Sequence, residues 1–232
     1  MTLAQLQRDL KSLGSPKKAK FVAGYFKTGK GEYGEGDIFL GLTVPAQRLL
    51  AKRYTHLPLA DIIKLLQSKI HEQRLVALLL LTHQYEQGNN KLKTKIFQLY
   101  LKNTKHINNW DLVDGSASYI VGDYLLNRPR QVLYKLARSN SLWERRIAII
   151  ATFAFIRQGQ YTDTLKLAKL LLRDSHDLIH KATGWALREV GKKDRPSLIR
   201  FLNANASTMP RTALRYSLEH LPEKQRRYYM IR

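Results

Sequence analysis

The chain contains no cysteine, which excludes a disulfide framework, a thiolate metal site and a cysteine nucleophile. Acidic residues are scarce, with 18 Asp plus Glu set against 40 Lys plus Arg. Long apolar runs are missing too. The longest, Leu75 to Thr82, is far too short to span a bilayer. The opening stretch MTLAQLQRDLKSLGSPKKAK alternates polar and apolar residues and carries no apolar signal core, so no secretory leader is expected. Alternating β-branched segments bounded by turns are also lacking, which argues against a sheet. These absences together predict a soluble intracellular protein.

What is present is charge and helical pattern. The formal net charge is +22 over 232 residues, of which 44% are hydrophobic. That apolar content is enough for a sizeable core. A charge excess of this size repels itself, and an extended anionic partner such as nucleic acid offsets it, because each neutralised phosphate releases a condensed counterion. A merely soluble basic protein, or one held on a ribosome or an anionic membrane, would share the composition.

Nearly every stretch between turn signals has helical spacing. In SLWERRIAIIATFAFIRQG, residues Leu142, Arg146, Ile149, Ile150 and Phe153 fall on one helix face, predicting a single helix with a wide buried stripe. Thr43-Val44-Pro45 reads as a helix start, with Thr43 as cap and Pro45 in the first turn. A period emerges when EQRLVALLLLTHQ, NNWDLVDGSASYI, ERRIAIIATFAFI, IHKATGWALREV and MPRTALRYSLEHL are superposed at Arg74, Trp110, Arg146, Lys181 and Arg211. The steps are 36, 36, 35 and 30 residues, long enough for two helices and a turn. The expected fold is all-α: a right-handed-type helical-repeat solenoid, HEAT-like, forming a single curved domain over residues 1–232. An irregular helical bundle is the plainer alternative. In a solenoid the five landmarks would line one basic concave groove fit for a phosphate backbone.

The segment GYFKTGKGEYG, residues 24–34, spells a dinucleotide fingerprint from Gly29 to Gly34 and nearly spells a P-loop. Neither nucleotide site stands. The preceding SPKKAKFVAGYFK has helical rather than strand spacing, and Gly31 occupies the Ser/Thr position that a P-loop needs. The stretch reads instead as a flexible connection between early helices, with Lys27 and Lys30 as candidate contacts to a nucleic-acid backbone.

Three further features carry chemistry. Asn108-Asn109-Trp110-Asp111-Leu112-Val113-Asp114 opens a helix, capped by Asn108 or Asn109, with Trp110 and Asp114 on one face and Asp111 and Asp114 near neighbours. Trp185 follows in IHKATGWALREVG, with Lys181 and Arg188 one turn to either side. Two aromatics and a carboxylate among cations suit recognition of a positively charged base; core packing and helix capping would account for the same residues. His176-Asp177-Leu178-Ile179-His180 has zincin-like spacing but no third ligand in view, so Asp177 is expected to serve the helix N-terminus and no metal is expected. The C-terminal EKQRRYYMIR is a minor candidate for DNA contact.

NNWDLVDGSASYIVGDYLL, SLWERRIAII and IHKATGWALREVG, together with KAKFVAGYFK and FLGLTVPAQRLL, resemble the AlkD-like family of HEAT-repeat DNA alkylation-repair glycosylases over most of the chain. The resemblance implies excision of N3- and N7-alkylated purines (3-methyladenine, 7-methylguanine) from double-stranded DNA without a deep base-flipping pocket. It further implies Asp114 as the catalytic carboxylate, Trp110, Trp185 and Tyr25 as aromatic contacts to the lesion, and Arg146 beside the reacting sugar. Arg188 matches a basic position of the motif, and Lys181, Arg74 and Arg211 would join the DNA backbone contacts. A monofunctional, monomeric enzyme without cofactor follows, cytoplasmic and associated with the nucleoid when bound to DNA. A non-catalytic binder of DNA or RNA structures and a protein-binding scaffold are the competing readings. The joint presence of Trp110, Asp114, Arg146 and Trp185 favours the enzyme over the first, and the charge disfavours the second.

Overall fold

The structure, a computed structural model describing residues 1–231, is all-helical. Its only β feature among the described residues is one isolated parallel bridge between Ile38 and Ile70. No helix among them is long and apolar enough to cross a membrane. Contacts divide the chain into two compact units, residues 1–116 and residues 117–232.

The first unit holds α1 (Leu3–Ser12), α2 (Pro16–Tyr25), α3 (Val44–Arg53), α4 (Leu59–Leu66), α5 (His71–Gln87), α6 (Asn90–Lys102) and α7 (Trp110–Asp114). Helix α5 is its axis, because its sequence is apolar around most of its circumference. Such a helix must be covered on all sides, and α1, α3, α4, α6 and α7 pack against it. Leu6, Leu10, Ile62, Leu65, Val76, Leu80, Ile96 and Leu112 are fully buried there. Helix α3 starts as expected, with the Thr43 hydroxyl accepting from the Ala46 N–H and Pro45 in the first turn.

The second unit holds α8 (Gln131–Leu136), α9 (Leu142–Ala151), α10 (Phe153–Arg157), α11 (Thr162–Leu171), α12 (Asp177–Lys193), α13 (Arg195–Asn205), α14 (Arg211–Leu218) and α15 (Glu223–Met230). Here α12 is the axis, packed against α9, α10, α11, α13 and α14. The single helix expected over SLWERRIAIIATFAFIRQG is two. Buried Thr152 turns its hydroxyl back to the Ile149 carbonyl at 2.7 Å, and α9 stops there before α10 begins. Side-chain competition for backbone acceptors bends helices in this way. Leu142 and Phe153, expected on one buried stripe, are only half-buried.

Every landmark of the sequence period lies in a helix: Arg74 in α5, Trp110 in α7, Arg146 in α9, Lys181 in α12 and Arg211 in α14. A second helix follows each of them, as α6, α8, α11, α13 and α15. This order is consistent with a helical-repeat solenoid. Close approach between repeats depends on Gly184, where a Cβ would stand 2.5 Å from the Ala213 carbonyl oxygen and 2.6 Å from the Tyr216 Cβ. Gly184→Ala forces α12 and α14 apart, and overpacking of this kind costs about 1–3 kcal/mol. A urea midpoint equal to that of the wild type would refute it.

Candidate functional site

In the first unit, α7 presents Trp110 and Asp114 one turn apart, both half-buried. The helix starts where it does because Asn109, fully buried, accepts the Trp110 N–H at 2.8 Å through its side-chain oxygen. Asn109 therefore supplies the cap, and its amide nitrogen reaches Asp37 at 3.4 Å. Leu112 and Val113 point into the core and anchor the short helix. Beneath it, the buried hydroxyls of Tyr100 and Ser116 lie 2.9 Å apart, and Ser116 donates to the Leu112 carbonyl at 2.6 Å. Burial, with the Asp114 charge adding to it, pushes the Tyr100 hydroxyl well above its ordinary pKa.

Trp110 is buttressed by an aromatic column. Phe26 stacks on it with ring centroids 5.1 Å apart and planes 18° from parallel, and Phe39 stacks on Phe26 at 5.3 Å. His71 packs against both phenylalanines, with ring centroids 4.6 Å from Phe39 and 5.0 Å from Phe26. Tyr25, 62% exposed, meets Trp110 edge-on at 6.0 Å. A hydrogen bond joins Tyr33 to the Trp110 indole, while burial raises the Tyr33 pKa.

His71 is the hub of a buried polar network. Its Nε2 lies 2.8 Å from Asp111 and its Nδ1 3.2 Å from Asp37. Arg74 donates to the other Asp37 oxygen at 2.7 Å and to the Ser68 carbonyl at 2.9 Å. Both imidazole nitrogens face carboxylates, so both are donors in the charged form. Burial works against that charge, but the bonds to Asp111 and Asp37 outweigh it and raise the His71 pKa. Burial likewise opposes ionisation of Asp37, but His71 and Arg74 overcome it and lower its pKa. Asp111 is thus paired with His71 and acts as a fastener for α7.

A group whose folded pKa is raised stabilises fully below its unfolded pKa, about 6.5 for histidine, and that contribution is lost as pH rises through the folded value. Stability therefore declines on the alkaline side of about pH 6.5. In His71→Gln this component is gone. Urea midpoints of the two proteins converge as pH rises, and parallel pH profiles would overturn the assignment.

The loop over residues 26–43 forms the wall behind Trp110, and it is held rather than loose. Gly29 and Gly31 donate to Glu32 and Glu35, at 2.9 and 2.8 Å. The Ile38 N–H donates to the Lys69 carbonyl, and the His71 N–H to the Ile38 carbonyl. Buried Glu72 accepts the N–H groups of Leu40, Gly41 and Leu42. Carboxylates thus satisfy the N–H groups that Gly29 and Gly31 expose. Lys27 and Lys30 are exposed, and neither makes an ion pair among the described residues.

In the second unit Trp185 lies half-buried on α12, with its Nε1–H donating to Glu189 at 3.2 Å and the Phe153 ring edge-on at 4.6 Å. Lys181 pairs with Asp177 at 2.8 Å. Arg188 is bonded to Glu219 and lies 3.5 Å from Glu189. Arg146 is 5% exposed and donates to the Leu178 carbonyl at 2.6 Å. Arg211 donates to the Met230 carbonyl at 2.7 Å.

The row of cations expected to greet phosphate is therefore largely committed to the protein itself. Arg74 is the firmest correction: it is 3% exposed, and its guanidinium is consumed by Asp37 and Ser68. A buried cation must be paired internally, which removes it from any surface contact. At the start of α12, Asp177 stands in the first turn, as expected, and His176 supplies the cap by accepting the Leu178 N–H at 3.1 Å. His180 reaches the Asp174 carbonyl at 2.5 Å. No group of three or more His, Asp or Glu side chains among the described residues is placed to hold a metal ion.

Sequence reasoning missed Phe26, Phe39, His71, Asp37 and Glu72. The one available signal was HEQR, four polar residues directly before the apolar run LVALLLL, all four of which are buried.

Comparison with known proteins gives a consistent picture. A family described as DNA alkylation repair enzyme matches residues 6–221. A solved structure described as "Predicted DNA alkylation repair enzyme from Enterococcus faecalis" superposes with a TM-score of 0.70 at 16% identity, covering 90% of this chain and 97% of that one. At that identity the likeness is one of fold. No curated protein matches.

Proposed function

Because the chain belongs to the DNA alkylation repair enzyme family, and so acts in DNA repair with DNA as its partner, we propose that it is an AlkD-like, HEAT-repeat DNA glycosylase. Its substrates on this reading are purines carrying a positive charge from alkylation at N3 or N7. The observation that carries the reading is the pairing of Trp110 and Asp114 on α7, with the tryptophan buttressed by Phe26.

The chemistry needs little more. Alkylation at N3 or N7 makes the purine a cation, so it leaves as a neutral base with the bonding electrons of the glycosidic bond, and no acid is needed to protonate it. The sugar left behind develops oxocarbenium character, which one carboxylate stabilises electrostatically. Water then adds at the anomeric carbon and gives up a proton to that carboxylate or to solvent. In this scheme Asp114 is the carboxylate, and Trp110 and Tyr25 present aromatic surfaces to the cationic base; Trp185, in the second unit, offers a separate aromatic contact to the DNA. Lys27 and Lys30 contact the backbone. Arg188, Lys181 and Arg211 assist it once DNA draws them from their present partners, whereas Arg146, buried like Arg74, takes no phosphate. The enzyme works as a monomer and leaves an abasic site.

Purified protein incubated with a duplex carrying 7-methylguanine releases the free base. Binding of that duplex without release above background would establish a binding-only protein instead.

A further inference from the structure

Helix α2 is unlike every other long helix of the chain, because none of its ten residues is buried. It is fixed at its ends. Ser15 caps it and donates its own N–H to the Leu40 carbonyl at 2.8 Å. Beyond its last residue, Phe26 enters the aromatic column. Between those anchors its outer face is open. Phe21 is 77% exposed and Tyr25 is 62% exposed. Their spacing of one turn makes them neighbours on the same face. Lys17 precedes Phe21 by another turn, and Lys18 and Lys20 flank it; all three are exposed and make no ion pair among the described residues. Gly24 lies beside the two rings with nothing within 4 Å of where its Cβ would be, so the surface between them is smooth.

Two large rings left in water on a helix whose inner face, Ala19, Val22 and Ala23, is only half-buried are a surface in want of a partner. That partner must bring flat apolar faces for the rings and negative charge for the lysines. Nucleic acid supplies both, but only where a base has left the duplex stack and exposes its π-face. The face is continuous with the lesion site through the edge contact of Tyr25 with Trp110.

We propose that Phe21, together with Tyr25, is a stacking platform for an unstacked nucleobase beside the lesion, with Lys17, Lys18 and Lys20 holding the flanking phosphates. The inference rests on DNA being the ligand and is independent of the hydrolytic step. Phe21 would bias the protein toward sites where stacking has already failed, so that a search by local duplex weakness precedes any test of base chemistry.

The experiment compares a fully paired duplex with one carrying a single bulged 2-aminopurine, following both affinity and the fluorescence of that base. The wild type binds the bulged duplex more tightly and quenches the probe. Phe21→Ala weakens binding to the bulged duplex about tenfold, within the range for one base stacked on one aromatic, and abolishes quenching. Affinity for the paired duplex changes less than about twofold, since no charge is lost. Phe21→Trp restores both signals. Lys17→Gln weakens both duplexes alike and reduces the salt slope by about 1. Equal losses on the two duplexes, or the same loss from Tyr228→Ala in the second unit, would overturn the proposal. So would unchanged DNA binding accompanied by loss of self-association in sedimentation, which would make the face a contact between copies. If bulge preference depends on Phe21 but no alkylpurine is released, the glycosylase reading falls and this one stands.

Discussion

Asp114→Asn lowers the rate of 7-methylguanine release by about 10²–10³-fold, the usual cost of losing one electrostatic stabiliser of a transition state. The amide matches the carboxylate in shape but carries no charge, so it cannot compensate an oxocarbenium-like sugar. Folding is expected to survive. Residue 114 is the last of α7 and half-buried, while Leu112 and Val113 carry the anchoring of the helix. Affinity for the duplex holds or tightens slightly, because one negative charge near the phosphates is gone. Asp111→Asn is the informative companion. Its carboxylate is paired with His71, so this variant loses stability more than it loses chemistry at saturating substrate. Single-turnover rates and urea midpoints, measured on both variants, separate the two carboxylates. Comparable rate losses at equal stability would remove Asp114 from its assigned role.

Glu72→Ala destabilises the protein by about 3–5 kcal/mol, as expected when one side of a buried charge-assisted network is deleted. Glu72 is 1% exposed, and its carboxylate accepts three consecutive N–H groups, from Leu40 at 3.0 Å, Gly41 at 2.7 Å and Leu42 at 3.3 Å. Alanine leaves those donors without partners, and each unsatisfied buried donor costs about 1–3 kcal/mol. Domains are stable by about 5–15 kcal/mol in total, so the first unit would stand close to unfolding. Glu72→Gln keeps one acceptor oxygen and gives a smaller loss. Because the same loop carries Phe26, Tyr33 and Phe39, the glutamine variant also loosens the support of Trp110. Denaturant unfolding measures the first effect, and base release at saturating duplex measures the second. A midpoint within error of the wild type for Glu72→Ala would refute the account.

The helical class and the position of the repeats were legible because apolar spacing and turn residues are local properties. Thr43 and Pro45 announced α3, and the period from Arg74 to Arg211 landed on five helices. Trp110 and Asp114 were legible as a pair because four residues make one helical turn. What stayed hidden depends on partners distant in sequence. Nothing near Arg74 announces that Asp37 will consume its charge, and nothing near Glu72 announces three waiting N–H groups at Leu40 to Leu42. Phe26 and Phe39 gave no signal of a site because the contacts they form exist only once the loop has folded against α5 and α7. Thr152 was passed over for the opposite reason: the apolar stripe of α9 was strong enough to mask a local break.

The inward arginines have a consequence for how such a protein can change over generations. Arg130 with Asp163, Arg145 with Asp174, and Arg188 with Glu219 each fasten residues about thirty positions apart, and Arg74 does the same with Asp37. These cations are joinery, each tying together two stretches of chain distant in sequence. The lysines on α2 and on the loop after it carry no such duty. Lineages can therefore add or shed lysines, and so retune their grip on DNA to the salt of their surroundings, while the frame that positions the chemistry stays untouched.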